Sequence, residues 1–159
     1  MASEAEREFM RHAVRLSAER MREGAGGPLG AVIVKDGKVI AEGWNKVTSS
    51  NDPTAHAEVV AIRQACEAVN SFSLEGCEIY ASCEPCPMCL AAIYWARIDR
   101  IFFANTRQEA AAIGFDDEFL YDEIPKTIEE RSIPTEHIAL AEAKAVFAEW
   151  QQKPDKVRY

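Results

Sequence analysis

The amino-acid sequence predicts an α/β domain in which helices cover both faces of a mixed sheet of about five strands. Three observations support this fold class. The chain has 159 residues, an ordinary length for one domain with its own core. A hairpin pattern occurs early in the chain, and helix and strand patterns alternate after it. Such alternation is typical of layered α/β folds, so we expect residues 1–159 to form one domain.

The first elements are a helix and a hairpin. Apolar residues recur at helical spacing over about residues 4–23, and a glycine-rich run ends this helix. Apolar, β-branched runs at 29–34 and 39–44 flank an Asp36-Gly37 turn and predict two antiparallel strands.

Helices and strands alternate in the remainder of the chain. Thr54 is placed to cap the helix that follows it. Residues 114–136 are acidic and contain two prolines, so they give no clear pattern, and a further short strand is expected beyond residue 113. The predicted elements are helix 55–69, strand 77–82, helix 86–96, strand 100–104, helix 107–113 and a terminal helix 138–151.

Charge and composition favour a small-molecule substrate. The net charge is −8, whereas proteins that hold a nucleic-acid backbone usually present a basic face, so we expect no nucleic-acid partner. No run of about 18 apolar residues exists, so we expect no membrane span. The first residues are acidic and lack the apolar core of a secretion signal, which leads us to expect a cytoplasmic protein.

Clustered cysteines indicate a metal site. Cys86 and Cys89 are three apart at the start of a predicted helix, so both thiols project from one face near the helix N-terminus. His56, at the start of the other central helix, is the natural third ligand. Two sulfurs and one nitrogen suit zinc and leave a fourth tetrahedral position for a water molecule. The metal would lower the pKa of that water toward neutrality.

Glu58 is the candidate proton carrier beside this site. It lies two residues after His56, and helical residues two apart diverge by about 200°, so both are not expected to bind one ion. We therefore expect Glu58 to take a proton from the water and deliver it to the substrate.

Two other readings use the same cysteines. A Cys-x-x-Cys pair also occurs in redox dithiols, although these need no upstream His-x-Glu. A closed, inert zinc site could use Cys83 as a fourth ligand beside His56, Cys86 and Cys89. Cys83 precedes Pro85 at a predicted strand end, so we expect its side chain to point away from the helical pair.

The order His-x-Glu and then Pro-Cys-x-x-Cys resembles the signature of zinc deaminases of the cytidine-deaminase superfamily. The matching strings are Asp52–Val59 and Ser82–Cys89. Within the superfamily the chain is similar to the small bacterial guanine deaminases, and the similarity covers nearly its whole length. Four further stretches carry this closer similarity: Gly26–Val32, Ile93–Arg97, Gly114–Phe119 and the terminal Tyr159.

The resemblance implies a three-layer α/β/α fold with one zinc ion per subunit, bound by His56, Cys86 and Cys89. It also implies that Glu58 and Asp117 are catalytic, with Glu58 shuttling protons. The substrate-binding residues that it implies are Asn45, Ala57, Leu29, Trp95, Asp117 and Tyr159.

Three of these residues would choose the substrate. Asn45 would hydrogen-bond a purine, and Tyr159 would close the pocket. Asp117 would face the amidine edge of guanine, because a carboxylate accepts hydrogen bonds from both the ring N–H and the exocyclic amine. Leu29 stands where the resemblance predicts Phe, which keeps an apolar wall but not an aromatic stacking surface.

The reaction implied is hydrolytic deamination of guanine to xanthine and ammonia by a zinc-activated water. Other deaminase substrates are alternatives: guanosine or a related nucleoside, an aminotriazine, cytosine, or adenosine in a tRNA loop. A non-catalytic structural zinc module is a third class. The resemblance further implies a homodimer whose C-terminal segment, about residues 114–159, can be exchanged between subunits.

Overall fold

A computed structural model describes residues 1–159. The chain divides into two compact units, Met1–Asp117 and Glu118–Tyr159. The boundary falls inside the acidic segment that gave no clear sequence pattern. None of the helices is long and apolar enough to cross a membrane.

The first unit contains five helices and four strands, whereas the second contains only helical segments. The first unit comprises α1 (Glu4–Arg22), β1 (Gly30–Lys35), β2 (Lys38–Trp44), α2 (Val47–Ser50), α3 (Ala57–Val69), β3 (Cys77–Cys83), α4 (Pro87–Trp95), β4 (Arg100–Asn105) and α5 (Arg107–Ala112). The second comprises α6 (Glu118–Glu123), a 3₁₀ turn (Ile128–Glu130) and α7 (Ala141–Gln152).

The sheet is mixed and has four strands in the order β2-β1-β3-β4. Strand β1 runs antiparallel to β2 and β3, and β3 runs parallel to β4. The α/β class is confirmed, with four strands in place of about five. The expected short strand beyond residue 113 is absent, because the chain turns at Gly114, which has a φ of +96°, and then enters α6 at Glu118.

The two faces of the sheet carry separate cores, which confirms the three layers. Ala31 and Ile33 of β1 lie in the core cluster that includes residues of α3 and α4. Val32 and Val34 lie between them in sequence and join Leu16 of α1 in the opposite cluster. This alternation follows from the two-residue period of a strand.

Helix α3 approaches the sheet at Gly43 of β2. A Cβ atom at this position would lie 2.1 Å from the carbonyl oxygen of Ala57 and 2.6 Å from the backbone nitrogen of Ala61. Only a residue without a side chain permits this approach, because ordinary contacts are 3.4–4 Å. The contact therefore fixes the first turn of α3 against β2.

Candidate metal and active site

The N-termini of α3 and α4 bring the predicted metal ligands together. His56 is the N-cap residue of α3 and Cys86 is the N-cap residue of α4, and neither side chain caps its own helix. Thr54, which the sequence suggested as the cap of α3, instead donates from its backbone N–H and its hydroxyl to the Asp52 carboxylate. The prediction of Thr54 as the cap was wrong, because α3 begins at Ala57 and its N-cap residue is His56, two residues further along.

The three predicted ligands have the spacing of a zinc site. Nδ1 of His56 lies 3.6 Å from Sγ of Cys86 and 3.5 Å from Sγ of Cys89. All three ligand atoms lie within 4.8 Å of one another. Tetrahedral zinc with ordinary bond lengths holds sulfur and nitrogen ligands about 3.6 Å apart. The residues present therefore fit a zinc ion.

The electrostatics of the cluster also favour a cation. Hydrogen bonds from the Cys89 thiol and the His56 ring lower the pKa of Cys86 to about 4. The hydrogen bond with Cys86, together with burial, raises the pKa of Cys89. The two sulfurs thus share one negative charge, and a divalent cation between them would allow both to ionise.

Glu58 is buried beside the cluster, with 8% of its surface exposed. Burial, aided by the negative charge of Cys86, raises the pKa of the Glu58 carboxyl above its usual range. It is not one of the three clustered ligands. A carboxyl in such a position can exchange protons near neutral pH.

Cys83 does not join the metal cluster. It lies at the end of β3, and its Sγ is 4.0 Å from the carbonyl oxygen of Thr106. The grouped ligands are His56, Cys86 and Cys89 alone, so the closed site with four protein ligands does not form. A position for a non-protein ligand remains, as catalytic zinc sites require.

Asn45 lies buried directly after β2, and its side chain is held in one orientation. Its Oδ1 accepts hydrogen bonds from the backbone N–H of Val47 at 3.1 Å and of Gly27 at 3.4 Å. Because the oxygen is engaged by backbone donors, the Nδ2 group is left to donate to a bound molecule.

Asp117 is the last residue of the first unit and is partly buried. Burial raises its pKa, the charges of Cys86 and Glu84 act in the same direction, and Arg107 opposes them. Asp117 therefore lies within electrostatic reach of a metal ligand. Arg107 and Glu84, which also interact through the Arg107 backbone N–H and Oε2 of Glu84 at 3.0 Å, were not singled out by sequence. Glu84 lies within the Ser82–Cys89 string, but no pattern there indicates its contact with Arg107, because the two residues meet only in the folded chain.

The other expected substrate contacts divide into core, surface and second-unit positions. The side chain of Ala57 belongs to the core, and Leu29 packs against the same cluster. Trp95, which the resemblance implies as a substrate contact, is 63% exposed at the C-terminal end of α4. Tyr159 belongs to the second unit.

Known proteins share both the site and the fold. Residues 3–105 match the cytidine and deoxycytidylate deaminase zinc-binding region. The chain is 54% identical over 151 residues to the guanine deaminase of Bacillus subtilis, which covers 95% of this chain and 97% of that protein. A tRNA-specific adenosine deaminase of Aquifex aeolicus is 45% identical over 96 residues, or 60% of this chain and 63% of that protein.

The X-ray structure of guanine deaminase from Bacillus subtilis has a TM-score of 0.94 to this chain at 53% identity. The match covers 96% of this chain and 98% of that one. The geometry of the three ligands and the match to the zinc-binding region both indicate a zinc site. The chain belongs to the cytidine and deoxycytidylate deaminase family and is a zinc-dependent aminohydrolase.

Proposed function

We propose that this protein hydrolyses guanine to xanthine and ammonia. The observation that carries the proposal is the extent of the similarity. The shared zinc-binding region ends at residue 105, whereas the similarity to the Bacillus subtilis guanine deaminase covers 95% of the chain. The similarity therefore continues into the part of the chain that contains Asp117.

The residues that would hold the metal are His56, Cys86 and Cys89. A zinc ion supplies a Lewis acid and makes water nucleophilic near neutral pH. The two helix N-termini add positive potential, which favours thiolates over thiols at Cys86 and Cys89.

Glu58 carries the protons of the reaction. Water adds to the ring carbon that bears the amino group while Glu58 removes a proton from the water and passes it to the adjacent ring nitrogen. Glu58 then moves the remaining hydroxyl proton to the amino group, the carbon–nitrogen bond breaks, and ammonia leaves. Its raised pKa suits this double role, because the carboxyl must both accept and release a proton near neutral pH.

Asn45 and Asp117 would distinguish guanine from other bases. The Nδ2 group of Asn45 donates to an acceptor of the purine, since its Oδ1 is already bonded to backbone. The Asp117 carboxylate accepts from the ring N–H and the amino group of guanine. A base with acceptors at that edge would leave the carboxylate unpaired, which a buried site penalises strongly.

Adenosine in tRNA is a less favourable substrate for this chain. The relative from Aquifex aeolicus that is named for that reaction matches only 60% of the chain. The net charge of −8 also opposes a phosphate backbone.

A substrate panel tests the proposal. Purified zinc-loaded protein is incubated with guanine, guanosine, cytosine, an aminotriazine and an adenosine-containing tRNA stem-loop, and ammonia release is measured. Chromatography of the guanine sample should show xanthine, and guanine should be turned over fastest. Turnover of another member with none of guanine would disprove the assignment, whereas loss of all turnover after chelation confirms only the metal requirement.

We further propose that the protein forms a homodimer in which the C-terminal segment is exchanged, with Tyr159 closing the partner's pocket. The exchange begins after Asp117 and not at about residue 114, because Phe115 contacts Gly27 of its own chain and Asp117 belongs to the first unit. The support is the apolar surface of the second unit, where α7 has no buried residue. Phe147 is 80% exposed and Ile133 is 77% exposed. Multi-angle light scattering should give twice the chain mass, and a monomer at micromolar concentration would contradict the proposal.

The cytoplasm remains the proposed location. All five cysteines are free thiols, and Cys86 and Cys89 can bind metal only when reduced. Cell fractionation tests this, and recovery of the protein from an oxidising compartment would contradict it.

A further inference from the structure

Two glycines in the loop between α1 and β1 lie against the segments that carry Asn45 and Asp117. A Cβ atom at Gly26 would lie 2.4 Å from the backbone oxygen of Asn45 and 2.5 Å from its Oδ1. A Cβ atom at Gly27 would lie 2.8 Å from Cζ of Phe115. Neither glycine has a positive φ. Glycine is therefore required at these positions for space and not for backbone conformation.

Asn45 cannot easily move away from Gly26. Its backbone N–H donates to Leu29 at 3.0 Å, and the next residue, Lys46, donates to Ala55 at 2.9 Å. Its Oδ1 is also bonded on two sides, as described above. The atoms facing Gly26 include backbone, so a change of rotamer would not relieve the overlap.

The glycine loop is fixed on its other side as well. The Ser49 hydroxyl donates to the carbonyl oxygen of Ala25 at 2.6 Å. The Ala25 N–H donates to Arg20 at 3.0 Å, which ties the loop to the end of α1. A methyl group at Gly26 would therefore force Asn45 and the loop apart by about 1 Å, since ordinary contacts begin at 3.4 Å.

Gly27 limits the position of Phe115 less strictly, because it meets only side-chain atoms of a ring that is 42% exposed. The ring of Phe115 lies on Gly27, and its backbone N–H donates to Ala110 of α5 at 3.0 Å. Gly114 has a φ of +96°, a turn that brings the chain back onto the loop. Asp117 follows two residues after Phe115, so the part of the overlap that turning of the ring does not relieve displaces the segment that carries Asp117.

We propose that Gly26 and Gly27 are positioning residues that set the placement of the Asn45 amide relative to the Asp117 carboxylate. This inference rests on the proposed function, in which those two groups bind a purine base. The loop thus acts as a spacer. Gly26 determines how closely Asn45, which donates to the purine, approaches the loop, and Gly27 does the same for the segment of Phe115 and Asp117, which accepts from the purine. Both substitutions should impair binding of the base while leaving the zinc ligands in place.

The test compares Gly26→Ala and Gly27→Ala with Gly24→Ala as a matched control. Gly24 is in the same loop and has nothing within 4 Å, and its φ of +79° means that alanine strains the backbone there. The control therefore loses stability without altering the spacer. We expect Gly26→Ala to lower kcat/KM about 100-fold, as displacements near 1 Å do. Gly27→Ala should raise KM about three- to tenfold with little change in kcat, the effect of one weakened hydrogen bond.

The variant Phe115→Leu separates positioning from general damage. It removes the ring tip that Gly27→Ala would overlap, so adding Gly27→Ala to Phe115→Leu should change KM by less than about twofold. Gly27→Ala meets only a side chain, so it remains informative even if Gly26→Ala fails to fold. Zinc content is measured in every sample and should match the wild type.

The kinetics use whichever base the wild-type enzyme turns over, so failure with guanine overturns the substrate proposal alone. The positioning inference is overturned if Gly27→Ala has the KM of Gly24→Ala. It is equally overturned if Gly27→Ala raises KM by the same factor with and without Phe115→Leu.

Discussion

Replacing Gly43 by alanine should weaken zinc binding in a chain that still folds. The new methyl group would lie 2.1 Å from the Ala57 carbonyl oxygen, so α3 must move off the sheet by about 1 Å to restore ordinary contact. His56 directly precedes Ala57 and moves with it, whereas Cys86 and Cys89 stay on α4. The nitrogen–sulfur distances, 3.5 and 3.6 Å in the wild type, would then lengthen, and one zinc ion could not keep all three bonds, since metal–ligand distances tolerate changes of only about 0.2 Å.

The expected magnitudes follow from that displacement. Overpacking should lower the free energy of unfolding by about 1–3 kcal/mol. Zinc affinity should fall by about 100-fold, which is the largest loss usually caused by changing a residue that orients a metal ligand. Affinity is measured by competition with a chelating dye, and stability by guanidinium unfolding of the metal-free protein.

Gly37→Ala supplies the control. Gly37 has a φ of +72° and nothing within 4 Å, so alanine there costs about 1 kcal/mol through backbone strain alone. It should retain the zinc affinity of the wild type. The reasoning is refuted if Gly43→Ala binds zinc as tightly as Gly37→Ala does.

Three further outcomes are expected. Glu58→Gln should lower kcat by at least about 100-fold with unchanged zinc content, because it removes the proton carrier but no ligand; measurable turnover near the wild-type rate would exclude Glu58 from that role. Cys83→Ala should retain one zinc ion per chain by elemental analysis, and metal loss would support the closed-site alternative. Hydrogen bonds with Lys126 and the backbone of Ser132 lower the pKa of Glu123 to about 2. The ionised Glu123 therefore stabilises the folded chain fully at pH values above the usual pKa of a carboxyl group, and this stabilisation is lost as the pH falls toward 2. An NMR titration of this carboxylate with a midpoint in the ordinary range would contradict the assignment.

The sequence predicted the metal cluster and the elements of the first unit except the short helix α2, because both depend on short-range patterns. The spacing of Cys86 and Cys89 places both thiols in one helical turn. His56 lies at the N-terminus of α3, so its position follows once the start of that helix is predicted. The strand and helix periodicities likewise act over a few residues, and all four strands were predicted to within one or two residues.

Features that depend on tertiary contact were not accessible in the same way. The sequence gives turn or strand positions to Gly26, Gly27 and Gly43. Their role in close packing becomes visible only in the folded chain, where they contact Asn45, Phe115 and Ala57. Trp95 has the spacing of a core residue on α4, yet the helix exposes it. Arg107 is one of many charged residues until the fold brings it near Asp117.

In the proposed function, the chemistry and the choice of substrate reside in physically different parts of this structure. The zinc ligands and Glu58 lie on the first turns of two helices that the sheet and Gly43 hold in place. Asn45 and Asp117 lie outside these helices, on connecting segments that Gly26 and Gly27 contact at Asn45 and Phe115. Such segments tolerate replacement better than core elements do. A family can therefore keep one hydrolytic site and change its substrate through the loops, which agrees with a tRNA-specific adenosine deaminase sharing 45% identity with 60% of this chain.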